Sequence, residues 1–214
     1  MGPEGSNLKF SENGNDFWVL DKKHYAKTGY FVDVGAGDGI TGSNTYTLEK
    51  FYNWQGLCVD PNPSFLKSLC GSRDVLISDL AVWNVSGKVL DFSYLSQDRK
   101  EFFGWNFRAG ITDKINKTSV NFDKHKVFSI TLNDLLNLYS APNKIDYISI
   151  DAEGSETNIL EAFDFTKYDV DLFTIEYNDE VNRSIVHNIM KNNGYDAVDI
   201  DDSGEDRFIK NRRE

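Results

Sequence analysis

Short apolar runs alternate along the chain with stretches in which apolar residues recur at helical spacing. The run Tyr30, Phe31, Val32, Asp33 and Val34 is broken by a glycine cluster, and Leu48, Phe51 and Tyr52 then recur behind a Ser43/Asn44 N-cap, which predicts strand, tight loop and helix. Residues 56–59 predict a second strand ending at Asp60, and Pro63 with Phe65, Leu66 and Leu69 opens a second helix. Residues 75–77 predict a third strand, and 82–85 with 88–92 predict a hairpin-like excursion around Ser86 and Gly87. Residues 96–126 are polar, aromatic-rich and weakly periodic, the pattern of an irregular insertion lying over an active site. Regularity returns with a short helix over 131–138, a densely apolar central strand over 145–150 ended by Asp151, and a buried strand over 172–175 ended by Glu176. Val181, Ile185 and Ile189 mark a helix stopped by Gly194, and 195–200 with 207–210 close the pattern as a hairpin around Ser203 and Gly204. Such alternation specifies an α/β fold with a mostly parallel, doubly wound sheet, which binds ligands at the C-terminal ends of its strands.

Composition narrows the partners. The 214 residues, 40% hydrophobic and 14% aromatic, suffice for one core, and the lack of repeats and linkers makes the whole chain one domain. A formal net charge of −11 repels a phosphate backbone, so nucleic acid is not expected as a partner. Cys58 and Cys70 fit neither a disulfide framework nor a zinc site, which points to a reduced, cytoplasmic setting. No basic segment precedes an apolar stretch at the N-terminus, and no apolar run reaches the ~20 residues a membrane span needs, so a soluble, unprocessed chain is expected.

Candidate chemistry collects at strand ends. Asp33, Val34, Gly35, Ala36, Gly37, Asp38 and Gly39 stand where the first strand gives way to a helix, and glycines there let the backbone approach a ligand closely. The spacing Gly-x-Gly-x-Gly behind an acid suits a phosphate-free ligand better than a dinucleotide, although a tight structural turn would use the same glycines. Asp60 closes the second strand where a carboxylate can accept from both hydroxyls of a ribose, or can cap the turn at Pro61, Asn62 and Pro63. Asp79, just past the third strand, is a candidate acceptor for an adenine amino group or a plain surface acid. Asp151, Glu153 and Glu156 crowd one strand end, Glu176, Tyr177 and Asn178 follow the next, and such crowding calls for cationic or hydrogen-bonding partners. A helix beginning near Ser155 would relieve part of that cost.

Four of these motifs, Phe31 to Gly39, Ser43-Asn44-Thr45, Asp60-Pro61-Asn62-Pro63 and Ile150 to Glu156, resemble in order and spacing those of FkbM-type methyltransferases. The resemblance spans roughly residues 11–178. It implies a Rossmann-like class I methyltransferase sheet, seven-stranded, mostly parallel and flanked by helices, with its last strand antiparallel, and S-adenosylmethionine as cofactor. It implies further that Asp33, Gly35, Ala36, Gly37, Asn44, Asp60, Pro61, Asp79 and Asp151 surround the donor, with Gly35 and Gly37 near its methionine part, Asp60 on the ribose and Asp151 at the transfer cleft. Two departures stand out: Gly37 where an Asn is common, and Asp60 where Glu is common. Residues 96–126 match no family pattern, which leaves the acceptor pocket undefined.

The acceptor expected on this reading is a hydroxyl of a sugar, glycan or other small polyhydroxylated metabolite. Transfer to an alcohol needs in-line alignment and a base, and Asp151, Glu153 and Glu176 are the candidates, Asp151 foremost. The same acids with Asn178 are alternatively ligands for Mg²⁺, which would acidify a bound diol. His24, His125 and His187 are further candidate bases, with His125 in the insertion and His187 on a helix surface. Phe102, Phe103, Trp105 and Phe107 form either an acceptor-facing wall or ordinary packing. Two other functions fit the same pattern: a nicotinamide-dependent oxidoreductase, and a methyltransferase-fold scaffold without activity. The sequence leaves oligomeric state open.

Overall fold

The computed structural model describes residues 10–95, 109–112, 122–199 and 203–212. The first half runs α1 (Asn15–Lys22), β1 (Tyr30–Val34), α2 (Tyr46–Tyr52), β2 (Gln55–Val59), α3 (Pro63–Ser72), β3 (Leu76–Ser78), β4 (Ala81–Val82) and β5 (Val89–Tyr94). The second half runs β6 (Gly110–Ile111), β7 (Asp123–Ile130), α4 (Leu132–Leu138), β8 (Lys144–Ile150), α5 (Glu156–Glu161), β9 (Asp169–Glu176), α6 (Glu180–Asn192), β10 (Tyr195–Val198) and β11 (Glu205–Lys210).

Seven strands form the main sheet in the order β10-β11-β9-β8-β1-β2-β3. All neighbours from β9 to β3 are parallel, while β11 runs antiparallel to both β9 and β10. The expected seven-stranded sheet with an antiparallel final strand is therefore present. Strand alternation sends Val32, Val34, Ile148 and Ile150 to one core, and Phe31, Cys58 and Tyr147 to a second core with Trp18, Leu48 and Leu69. Asp33 shares the face of Phe31, so its carboxylate is carried into the buried layer beneath α2. Because β1 and β8 are adjacent, Val34 and Ile150 end level with each other, and the loops after them start side by side.

Helix ends follow their local sequences. Asn62 accepts from the backbone N–H of Ser64 ahead of Pro63, Thr131 caps α4 through Asp134, and Asp179 caps α6 through Asn182. The Ser43 side chain reaches the first amides of α2, taking a hydrogen bond from Tyr46 at 3.1 Å. Helix α1 has no counterpart in the sequence reading; its buried apolar residues Trp18, Val19 and Leu20 are consecutive and show no helical spacing.

A second sheet of four strands, β4-β7-β5-β6, corrects two expectations. Residues 82–85 do not pair with 88–92; β5 pairs antiparallel with β7, and β4 lies parallel to the end of β7. Gly87 donates to Ser129 and Ser129 donates to Lys88, both at 2.8 Å, so the turn at Ser86 and Gly87 is tied to a strand about 40 residues later rather than closing on itself. Residues 110–111 and 123–126 of the expected irregular segment are strand residues of this sheet. The aromatic wall proposed from Phe102, Phe103, Trp105 and Phe107 lies outside the described residues. No helix among the described residues is long and apolar enough to cross a membrane.

Candidate active site

The loops after β1, β2 and β8 enclose a cleft of about 550 Å³, within the size range of small-molecule sites. Gly35, Gly37 and Asp38 form one wall, Asp60, Pro61 and Phe65 another, and Leu80, Ala81 and Val82 with Phe92 an apolar side. Gly110 and Ile111 from the second sheet, with Ala109 before them, also line the cleft, and so do Asp151, Ala152, Glu153 and Ser155, which make it acidic. A smaller cavity of about 190 Å³ adjoins it, lined by Asp33, Ala36, Asn44, Ser149, Glu176 and Glu205 among others. Asp151, Gly35 and Gly37 line both. Among the described residues no lysine, arginine or histidine lines either cavity.

Each glycine of the first loop has its own reason. Gly35 has φ +89°, and a Cβ there would sit 1.7 Å from the Asp151 carbonyl oxygen, so only glycine lets the loops after β1 and β8 approach this closely. Gly37 has φ +58°, and a Cβ there would meet nothing within 4 Å, so its bare backbone faces open cleft. The Gly37 amide donates to Asp60 Oδ2 at 2.7 Å and the Asn62 amide to Oδ1 at 2.8 Å, which fixes the carboxylate at the cleft wall. Of the two roles weighed for Asp60, the turn cap is therefore present, and the carboxylate also lines the cleft. Asp38 closes the loop by accepting from the amides of Ile40 and Thr41 at 2.9 and 2.8 Å.

Other candidate residues are placed differently. Asp33 accepts from Thr45 at 2.5 Å, and burial holds its carboxyl above the usual range against the pull of Arg73 and that hydrogen bond. Asn44 spends its amide on Ser149 and Glu205, both at 3.0 Å, and its oxygen accepts from Ser11 at 2.7 Å, so it ties elements together at the edge of the smaller cavity. Asp79 is exposed and outside the cleft lining, where its neighbours Leu80 to Val82 stand instead. His125 is exposed on β7, His187 pairs with Asp206 at 2.8 Å, and neither lines a cavity.

The structure does bring Asp151, Glu153 and Glu176 together: one oxygen from each lies within 4.8 Å of the others. Glu156 organises the loop that presents them, its Oε1 accepting from the amides of Ala152 at 2.8 Å and Gly154 at 3.1 Å. Glu153 takes a left-handed φ of +51° at the loop's tip, uncommon for a residue with a side chain. Burial and the charge of Glu176 push Glu156 up to about 7. Asp151 is raised well above the carboxylate range by the surrounding protein, then by Glu176, Glu153, Glu205 and Glu156. Its side chain is exposed to the open cleft, where water relieves part of the desolvation and leaves the repulsion of the neighbouring acids in force. Ser155 Oγ and Asn178 Oδ1 are buried with no hydrogen-bond partner.

Residues without a local sequence signal complete the site. Arg73, 4% exposed, donates to Gly39 O at 3.2 Å, Ser43 Oγ at 3.3 Å and Thr45 Oγ1 at 2.9 Å, and pairs with Glu49, binding the glycine loop to α2 and α3. Glu205 accepts from Asn13 at 3.1 Å, Asn15 at 2.5 Å and Asn44 at 3.0 Å, joining both ends of the chain beside the smaller cavity.

The strand order, the glycine loop and the acid ending β2 define a Rossmann-like class I methyltransferase. The profile of the Methyltransferase FkbM domain matches residues 33–197, and the chain belongs to that family of S-adenosylmethionine-dependent methyltransferases. Among solved structures, the chain resembles a precorrin-6y C5,15-methyltransferase from Geobacter metallireducens at 12% identity, TM-score 0.47, covering 97% of this chain and 91% of that one. It also resembles a TehB-like SAM-dependent methyltransferase from Corynebacterium glutamicum at 10% identity, TM-score 0.46, covering 96% and 90%. A ribosomal protein L11 methylase from Lactobacillus delbrueckii subsp. bulgaricus is similar at 9% identity, TM-score 0.48, covering 94% and 79%. No curated protein matches the chain.

Proposed function

We propose that this protein methylates a hydroxyl of a small polyhydroxylated acceptor such as a sugar or glycan, in the acidic cleft. The observation that carries the reading is the position of Asp151, which lines both cavities and has Glu153 and Glu176 beside it. When bound, S-adenosylmethionine supplies a methyl group on a sulfonium, a leaving group that needs no activation. The residues that would hold it are Asp60 on the ribose hydroxyls, the backbone of Gly35 and Gly37 along its length, and Pro61, Phe65 and Leu80 to Val82 on its apolar surfaces. The open space over Gly37 and the fixed carboxylate of Asp60 fit such a nucleoside.

An alcohol attacks well only as its proton leaves, and a carboxylate of ordinary pKa is a poor acceptor for that proton. Crowding makes Asp151 more basic than an isolated aspartate, which suits it to the task. Glu153 and Glu176 orient the acceptor's hydroxyls by accepting from them, and the apolar Ile111 and Phe92 of the cleft lining exclude water.

Donor binding and acceptor class are tested separately. S-adenosylhomocysteine should raise the melting temperature of the protein, NAD should not, and Asp60→Ala should weaken the former at least tenfold. Labelled methyl should appear on hydroxylated acceptors, and Asp151→Asn should lower that rate by about 10²-fold or more while donor affinity changes little. Labelling confined to amines, or turnover untouched in Asp151→Asn, refutes the hydroxyl reading. A response to NAD alone refutes the donor as well.

A further inference from the structure

We infer that Asp151, Glu153 and Glu176 form a binding site for a hard divalent cation, Mg²⁺ or Mn²⁺, at the point where the acceptor enters. The three acids come from two neighbouring strand ends and one loop tip, and their nearest oxygens all lie within 4.8 Å of one another. Oxygen ligands stand about 2.1 Å from Mg²⁺ and about 2.4 Å from Ca²⁺, so oxygens on opposite sides of one ion are about 4.2 to 4.8 Å apart. The observed span is close to that limit, so small side-chain rotations draw the three oxygens onto one ion while the strands stay in place.

A second observation points to a ligand independently of the acids. Ser155 is 2% exposed, lines the same cleft as Asp151 and Glu153, and its Oγ has no hydrogen-bond partner. Buried hydroxyls are almost always paired, so a lone one on a residue of the cleft lining marks a place where something else supplies the contact. Asn178 Oδ1, two residues beyond Glu176, is also unpaired, on a half-buried residue outside both cavity linings. The donor set is oxygen throughout, which selects Mg²⁺, Mn²⁺ or Ca²⁺ over zinc or copper.

Three carboxylates hold the ion firmly and leave coordination positions toward the cleft. A vicinal diol is the natural occupant of two such positions, because chelation orients both hydroxyls and acidifies the one to be methylated. With the ion bound the repulsion among the three acids is cancelled, and acidification of the chelated hydroxyl by the ion takes over from the raised basicity of Asp151. The cation site does not depend on the donor assignment, and its test uses neither donor nor acceptor.

Chain stripped with EDTA and dialysed is titrated with Mn²⁺, free Mn²⁺ being read by electron paramagnetic resonance. One Mn²⁺ should bind per chain, Mg²⁺ should compete for it, and the Asp151→Asn, Glu176→Gln double variant should weaken it at least tenfold. The amide replacements keep side-chain shape and remove charge crowding, so circular dichroism should show both proteins folded. Ser155→Ala should weaken binding by a smaller factor, and Asp60→Ala should leave it unchanged even where donor affinity is lost. No saturable site up to 1 mM Mn²⁺ in the folded parent, or equal affinity in the folded double variant, overturns the inference.

Discussion

Replacing Glu156 by glutamine should stabilise the protein at pH 8 and have almost no effect at pH 4.5. Glu156 is 3% exposed, and its carboxyl ionises near 7 in the folded chain against 4.5 as its ordinary value. As pH rises between those values the unfolded chain gives up the proton while the folded one keeps it. The unfolded state then binds fewer protons, and stability falls by up to about 1.4 kcal/mol for each pH unit. Above pH 7 the loss is complete at about 3 kcal/mol. Glutamine keeps the oxygen that accepts from Ala152 and Gly154 but cannot ionise, so the variant escapes the loss without giving up the loop. Urea unfolding at pH 4.5, 6, 7 and 8, at constant ionic strength and with EDTA present, measures the difference, with an unchanged m-value as the check that both proteins unfold alike. A gap that stays flat across this range, or a variant less stable than the parent at pH 8, would refute the reasoning.

The glycine loop and its support offer two further tests. Gly35→Ala forces a Cβ to 1.7 Å from the Asp151 carbonyl and should cost at least ~2 kcal/mol of stability, whereas Gly37→Ala meets no atom within 4 Å and should cost about 1 kcal/mol while weakening S-adenosylhomocysteine binding. Calorimetric melting together with ligand titration separates them, and equal stability of the two variants would contradict the assignment. Arg73→Met removes the buried cation opposite Glu49 and Asp33 and should lose about 3 kcal/mol in urea unfolding at pH 8, less at pH 5, where Asp33 takes up a proton more readily. A loss below about 1 kcal/mol would mean that the pair contributes little beyond its packing.

Much of the site was legible because its residues sit at fixed places in local patterns. Asp60 follows an apolar run and precedes Pro61 and Pro63, and that alone puts it at a strand end facing the cleft. Asn44 and Asp79 show the limit of such reading. Both stand in the right segments, yet Asn44 is consumed by Ser11, Ser149 and Glu205, and Asp79 stays exposed while Leu80 lines the cleft. Arg73 is a lone cation at a helix end, and no periodicity reveals that Gly39, Thr45 and Glu49 converge on it.

The pairing of β5 with β7 was hidden for a related reason. Turn residues at Ser86 and Gly87 favour a local hairpin, but backbone donors pair with whichever strand tertiary packing brings alongside, and here that strand is β7.

By itself the sequence determined the strands of the main sheet and its helices other than α1, that the sheet is mostly parallel, and which acids end the strands, because side-chain period and turn chemistry are properties of neighbouring residues. Only the tertiary structure decided that Asp151, Glu153 and Glu176 share one corner, that Glu205 reaches Asn13, Asn15 and Asn44, and that β7 crosses to β5. Those contacts depend on strand order and register, which are set by burying two faces of one sheet at once, and a chain read in one dimension carries no record of that three-dimensional closure.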